Sequence, residues 1–226
     1  MARRKQRQPM TRVRNIEPSP LTLTFVIPVP APEPAGSVSA YIDLSQCASL
    51  ASRRFYRQGL NWGIAGMKVT SVEAGTCQVS KLPNTWVMAN SWKQSFAVWS
   101  RMNAEAMAET PTIRPRFLDF KVYADSAHHS LGFDSNLLPK TNTTIAVAGE
   151  WESAKLRIPI GPASPGVTTN REVIAVGASY PGAGFSGLDA VSMIEGYASS
   201  RLLPNVLDPN APDDIEDADG MTPENW

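Results

Sequence analysis

YIDLSQCASLASRRFYRQGLNWGIAG, residues 41 to 66, joins an extended run to a helical one, and the rest of the chain is read outward from that junction. Tyr41 and Ile42 continue an alternating run that begins at Val38, which predicts a strand. Asp43 is placed to cap a helix, with Gln46 three residues later in capping-box register. Leu44, Cys47, Ala48, Ala51 and Phe55 then recur at helical spacing, and Gly59 is the expected stop. Arg53, Arg54 and Arg57 fall near the helix end. Two readings fit them. Cations complement the negative end of a helix dipole on a solvated face. Alternatively they face phosphate, with Phe55, Tyr56 and Trp62 anchoring the segment in a core or subunit contact.

On either side, short apolar runs alternate with Pro- and Gly-rich turns. Leu21 to Val29 favours a strand, and Pro30 to Gly36 is a link. Met67 to Val72 predicts a third strand. Cys77 to Lys81 with Thr85 to Ala89 predicts a fourth, broken at Pro83. A second helix is expected from Ser91, with Gln94 in capping-box register. Its apolar face is Trp92, Phe96, Trp99, Met102 and Ala106, and it runs to about Glu109. Phe117 to Tyr123, Thr143 to Ala148, Trp151 to Ile160 and Val173 to Tyr180 read as strands, with loops over Ala124 to Thr141 and Gly161 to Asn170. A third helix is expected from Leu188 to Leu203, stopped by Pro204. Eight strands separated by loops rather than by regular crossover helices predict an all-β antiparallel sandwich or jelly roll, with helices inserted in the connections.

Charge divides the chain into three. The net charge is +0, yet residues 1–16 carry Arg3, Arg4, Lys5, Arg7, Arg12 and Arg14 and no acid. Residues 204–226 carry Asp208, Asp213, Asp214, Glu216, Asp217, Asp219 and Glu224 and no base. Of the 21 bases and 21 acids, 15 and 14 remain for the middle. This predicts a disordered basic arm (1–20), a neutral folded body (21–203) and an acidic tail (204–226). A basic head of this kind points to a polyanion partner. Each cation that neutralises a phosphate releases a counterion, so the arm would bind sequence-independently and with steep salt dependence. It has no aromatic residue for base stacking, so it would hold the backbone. Arg3 to Arg7 also has the composition of a nuclear import signal, which implies an import receptor as a partner.

Other chemistry is not visible. Gly182-Ala-Gly184-Phe-Ser-Gly187 matches G-x-G-x-x-G, but no further strand with an acid follows the expected helix, so the glycines are read as turn formers. His128 and His129 are the only histidines, and with Asp125 and Asp134 as the nearest acids they do not make a metal site. The tail DDIEDADG fails the EF-hand pattern at Ile215 and Trp226. Neither a P-loop nor a Gly-x-Ser-x-Gly elbow is present, so no catalytic residue, metal or cofactor is assigned. Cys47 and Cys77 cannot build a disulfide framework; one bridge between them is open, and two reduced, buried thiols are the expectation. No apolar run approaches the length of a membrane span, and a reducing, intracellular site of synthesis is expected.

Three phrases carry a resemblance: YIDLSQCASLASRRFYRQG from Tyr41, SKLPNTWVMANSW over Ser80 to Trp92, and RPRFLDFKVYADSAHH over Arg114 to His129. They resemble capsid proteins of small viruses with circular single-stranded DNA genomes, over about Val38 to Leu203. The resemblance implies an eight-stranded viral jelly roll that self-assembles into an icosahedral shell, with the basic arm on a single-stranded DNA genome. It also implies a place in the virion, and in the host nucleus during assembly. The competing expectation is a non-assembling, sequence-independent nucleic-acid-binding protein. That alternative predicts basic, aromatic-bearing grooves in the body.

Overall fold

A computed structural model describes residues 21–28, 38–71, 74–109, 119–141, 143–159 and 167–201. The basic arm and the acidic tail lie outside the described residues. In chain order the elements are α1 (Leu44–Ser52), α2 (Trp86–Glu109), α3 (Ser126–Leu131), β1 (Lys140–Thr141), β2 (Thr144–Ile145), β3 (Lys155–Pro159), β4 (Thr168–Ile174), β5 (Ala190–Ser192) and α4 (Met193–Arg201). A single 3₁₀ turn, Phe133–Ser135, follows α3.

This is not the all-β, eight-stranded antiparallel jelly roll that the sequence suggested. Among the described residues β1 and β2 form a two-residue antiparallel pair, and β3, β4 and β5 form a mixed sheet in that order. β3 runs antiparallel to β4, with Lys155 opposite Glu172 and Ile158 opposite Thr169. β5 runs parallel to β4, with Val173 beside Val191. The extended stretch Asp119–Tyr123 joins the sheet's end: the Tyr123 amide donates to Val173 O at 2.9 Å and the Ala175 amide to Tyr123 O at 2.8 Å. The described parts of Leu21 to Val29, Val38 to Ile42, Met67 to Val72 and Cys77 to Lys81 belong to no ladder.

In Thr85 to Ala89, expected as strand, Trp86 already begins α2. Thr85 caps α2 through its Oγ1, which accepts from the Met88 amide at 3.2 Å, and its carbonyl accepts from the Ala89 amide at 3.0 Å. Starting there brings Met88 onto the stripe of Trp92, Phe96 and Trp99, so the helical period outweighs the strand propensity of Thr-Trp-Val. Ser91, the expected cap, is buried, and its hydroxyl donates to Met88 O at 2.9 Å. The loop assigned to Gly161–Asn170 is in its last part strand, because β4 begins at Thr168. The helix expected from Leu188 begins at Met193, after β5.

Neighbouring residues of the sheet face opposite ways, as the pleat requires. Val122 and Val173 join Met88, Trp99, Phe120, Leu156 and Met193 in one cluster, under α2 and α4. Tyr123 and Ile174 join Phe133, Trp151 and Ala190 in the other, on the α3 side. Phe120 stacks edge-on to Trp92 and Phe96, with ring centroids 5.9 Å and 5.8 Å away. Burial on both faces explains why Phe120, Lys121, Val122 and Tyr123 are all buried although they alternate in polarity.

Candidate nucleic-acid interface

Asp43 builds the platform. Its Oδ1 accepts from the amides of Ser45 at 2.9 Å and Gln46 at 3.3 Å, so it is the N-cap that the sequence predicts. Its Oδ2 accepts from Gln58 Nε2 at 2.6 Å and from Trp151 Nε1 at 3.1 Å. Gln46 does not close the capping box. It is buried, and its Oε1 accepts from Asn136 Nδ2 at 3.0 Å. α1 ends at Ser52 rather than at Gly59, because Arg53 adopts a left-handed conformation at φ 52°.

The turn after α1 is held from beneath. Ser49 Oγ accepts from the Tyr56 amide at 2.8 Å, Ser45 Oγ donates to Arg57 O at 3.1 Å, and Trp62 Nε1 donates to Ser45 Oγ at 3.1 Å. Gln58 then bridges to the sheet: the Val122 amide donates to its Oε1 at 2.7 Å, and its Nε2 reaches Val122 O at 3.3 Å. With the backbone tied down on this side, Arg53, Arg54 and Arg57 are left exposed. None of the three forms an ion pair among the described residues, and the sequence holds no acid between Asp43 and Glu73. Phe55 and Trp62 stand beside them, 39% and 38% exposed, with Tyr56 edge-on to Trp62 at 5.5 Å. The aromatic neighbours are therefore only partly anchored in the body. Arg3, Arg4, Lys5, Arg7, Arg12 and Arg14 lie outside the described residues, so how they stand relative to this turn is not described.

No family model, curated protein or solved structure matches this chain. Its function has to be read from its own geometry.

The two histidines, expected in a polar loop or as an interface pair, are buried in α3. His128 Nδ1 accepts from the Ala124 amide at 3.1 Å and its Nε2 lies 2.7 Å from Asn136 Oδ1, which places the proton on Nε2. Its ring stacks on Tyr41 with centroids 4.3 Å apart, and burial pushes its pKa below the usual value. The Tyr41 hydroxyl donates to Asp125 Oδ1 at 3.0 Å, and burial with that carboxylate raises its pKa to about 12. His129 Nε2 meets Glu172 Oε2 at 2.8 Å, and Ser153 Oγ donates to the other Glu172 oxygen. Serine, histidine and acid thus sit together, but the carboxylate is in the middle. Nucleophile activation needs the imidazole between the hydroxyl and the acid. Both His129 and Glu172 are only 1% exposed, so this is a structural tie between α3 and β4. Among the described residues no group of three or more His, Cys, Asp or Glu is arranged to hold a metal ion.

Sequence reasoning passed over Glu172 and Lys121, both buried charges. Lys121 pairs with Asp119 and lies 4.3 Å over the Trp151 ring. The signal available was a charge directly beside apolar residues, at Glu172 before Val173 and at Lys121 between Phe120 and Val122. The glycine motif also has a packing reason. A Cβ on Gly184 would stand 2.5 Å from the His129 ring, and Phe185 donates its amide to His129 O at 3.2 Å. Cys47 is buried and Cys77 exposed, which corrects the expectation of two buried thiols. Among the described residues no helix is long and apolar enough to cross a membrane.

Proposed function

We propose that this chain is a structural coat subunit of a virus, self-assembling into a closed shell and packaging single-stranded DNA by sequence-independent contacts with phosphate. The observation that carries the reading is the turn after α1, where Arg53, Arg54 and Arg57 are exposed and without an acid partner among the described residues. They stand beside partly exposed Phe55 and Trp62. Guanidinium forks suit phosphate oxygens, and exposed rings offer unpaired bases a stacking face. The acid-free cluster Arg3, Arg4, Lys5, Arg7, Arg12 and Arg14 adds charge of the same sign on the same chain. The resemblance of the three phrases described above to small viral capsid proteins supplies the assembly half of the reading. A virion location, passage through the host nucleus and an import receptor for Arg3 to Arg7 follow from it as parts of the same proposal.

The exposed basic turn with its aromatic neighbours is also what the non-assembling nucleic-acid-binding alternative predicts, but that alternative gives the exposed apolar residues of the body no role. The test is electron microscopy of the purified full chain together with single-stranded DNA binding across a salt series. Closed particles are expected, with nucleic acid inside that is lost when residues 1–16 are deleted. Converting Arg53, Arg54 and Arg57 to glutamine should lower the slope of log affinity against log salt by up to about 2, at ~0.7 per phosphate contact on a single strand. DNA binding without particles at any salt favours the alternative. No DNA binding at all sinks both.

A further inference from the structure

Asp43 stands at the head of α1 and cannot neutralise the basic turn at its end, because both of its oxygens are engaged. Oδ1 accepts from the Ser45 and Gln46 amides, and Oδ2 from Gln58 and Trp151. No further acid occurs before Glu73. Elsewhere among the described residues, the ion pairs of Arg and Lys are single ones, Lys121 with Asp119 and Arg171 with Asp189. No other five consecutive described residues hold three bases as 53–57 do. The opposite charge is concentrated elsewhere in the same chain. Asp213, Asp214, Glu216, Asp217 and Asp219 are five acids in seven residues, the densest acidic run of the sequence, and no base follows Arg201.

We propose that the acidic run 213–219 docks on Arg53, Arg54 and Arg57 of its own chain, in the place that phosphate would take. Charge complementarity selects this occupant: an acid run without bases meets a basic turn without acids. Carboxylates also fit guanidinium forks in pairs, as phosphate oxygens do. Reach allows it. α4 ends at Arg201, and Asp219 lies 18 residues further on. Such a stretch spans up to about 60 Å, whereas a folded chain of this length has a radius of gyration of about 17 Å. Tethering then keeps the run near the turn at an effective concentration of about 1 mM, which a free partner does not have. Ser45 and Ser49 already hold the backbone of the turn, so docking has to order little besides the tail. The consequence is a competition, in which the tail must leave before nucleic acid can take the turn. That consequence rests on the nucleic-acid half of the function proposed above; the docking itself does not.

The test compares the full chain with a full-length variant carrying Asp213→Asn, Asp214→Asn, Glu216→Gln, Asp217→Asn and Asp219→Asn. Arginines are modified with phenylglyoxal in the absence of nucleic acid, and the sites are read by mass spectrometry. At low salt Arg53, Arg54 and Arg57 should react roughly fivefold more slowly in the parent, the factor for a tethered occupant at about 1 mM with an affinity of about 0.25 mM. High salt should abolish the difference, and protein concentration should not change it. Equal rates in the two proteins overturn the proposal. So does protection confined to Arg3, Arg4, Arg7, Arg12 and Arg14, which would put the tail on the arm. Protection that fades on dilution belongs to a neighbour's tail and also overturns it. Should the variant misfold by circular dichroism, the parent alone decides: rates for the three arginines that do not rise with salt refute the docking. In a second assay, fluorescence anisotropy of a labelled single-stranded oligonucleotide, the variant should bind roughly fivefold tighter than the parent at low salt. The gain should disappear once Arg53→Gln, Arg54→Gln and Arg57→Gln are also present. An equal gain without those arginines reflects overall charge and overturns the proposal. Protection of the turn with no oligonucleotide binding in any variant supports the docking while the nucleic-acid reading fails.

Discussion

Gly184→Ala and Gly196→Ala are the same chemical change, and they should move stability in opposite directions. Gly184 has nothing unusual in its backbone angles, but an added Cβ would lie 2.5 Å from His129 Cε1 and Nε2 and 2.7 Å from His129 O. Relief would require His129 to move. Its ring is held by Glu172 at 2.8 Å and against Tyr123 at 5.2 Å, and its carbonyl accepts from Phe185. Overpacking a rigid site costs about 1–3 kcal/mol, and loosening the buried His129–Glu172 contact adds to it. Gly196 lies inside α4 with nothing within 4 Å of an added Cβ. Alanine there should gain about 0.8–1 kcal/mol of helix propensity. A chain of this size shifts its melting temperature by about 2–4 °C per kcal/mol. Thermal unfolding of the full chain should therefore show Gly184→Ala about 2–12 °C lower and Gly196→Ala about 2–4 °C higher than the parent. A Gly184→Ala protein that melts with the parent would refute the packing of the glycine loop on His129, whatever Gly196→Ala does.

Asp43→Ala should cost about 2–4 kcal/mol by urea unfolding, since it removes a helix cap and leaves Trp151 Nε1 without its acceptor. A loss no larger than that of an ordinary exposed cap would show that Asp43 does not tie α1 to Trp151. Stability should also fall with acid through His128. Its folded pKa lies below the ordinary value of 6.5 because burial disfavours the charged ring. The unfolded chain then binds the extra proton first, so this contribution is complete above pH 6.5 and is lost as pH drops toward the folded value. Asn136, Asp125, Asp43 and His129 all act on that ring. His128→Asn should flatten the stability–pH curve between pH 7 and 5, and an unchanged curve would contradict the assignment. A thiol reagent should modify Cys77 at once. Cys47, 0% exposed with its pKa raised to about 12 by burial and by Asp43, should react only on unfolding. Two fast thiols would mean that α1 is not packed as described.

The helical parts of the fold were legible wherever one face repeats for long enough. The Asp43 cap and the far end of α2 follow from local chemistry alone. The start of α2 was not read correctly, because Thr85, Trp86 and Val87 have strand propensity and only the position of Met88 on the stripe decides against it. β5 escaped because three residues carry no period, and its parallel pairing to β4 requires a crossover that the glycine-rich stretch Gly177–Gly187 conceals. The cluster of Arg53, Arg54 and Arg57 was legible as charge, but its exposure depends on Ser45, Ser49 and Gln58 holding the turn, which no spacing rule reveals. Glu172 and His129 are 43 residues apart, so their partnership is a product of the fold.

The chain buries polar groups and exposes apolar ones. Lys121, Glu172, His128, His129 and Gln46 are buried, while Ile64, Val69, Val79 and Val147 are exposed, Val147 at 84%. Polar groups find partners along the seam between α1, α3 and the sheet: Asp43 with Gln58 and Trp151, Gln46 Oε1 with Asn136, Glu172 with His129, while the buried Gln46 Nε2 has none among the described residues. Such bonds add modest net stability but are costly to leave unmade, so they select one arrangement of the seam over others. The apolar residues outside have the converse property. They gain nothing in the lone chain, and about 25 cal/mol per Å² becomes available only when water is removed from them. A polar seam that selects one arrangement of the chain also holds its exposed apolar residues in one geometry. On the proposed function, the near-neutral body would keep like charge away from contacts between copies, and exposed Arg53, Arg54 and Arg57 would meet phosphate.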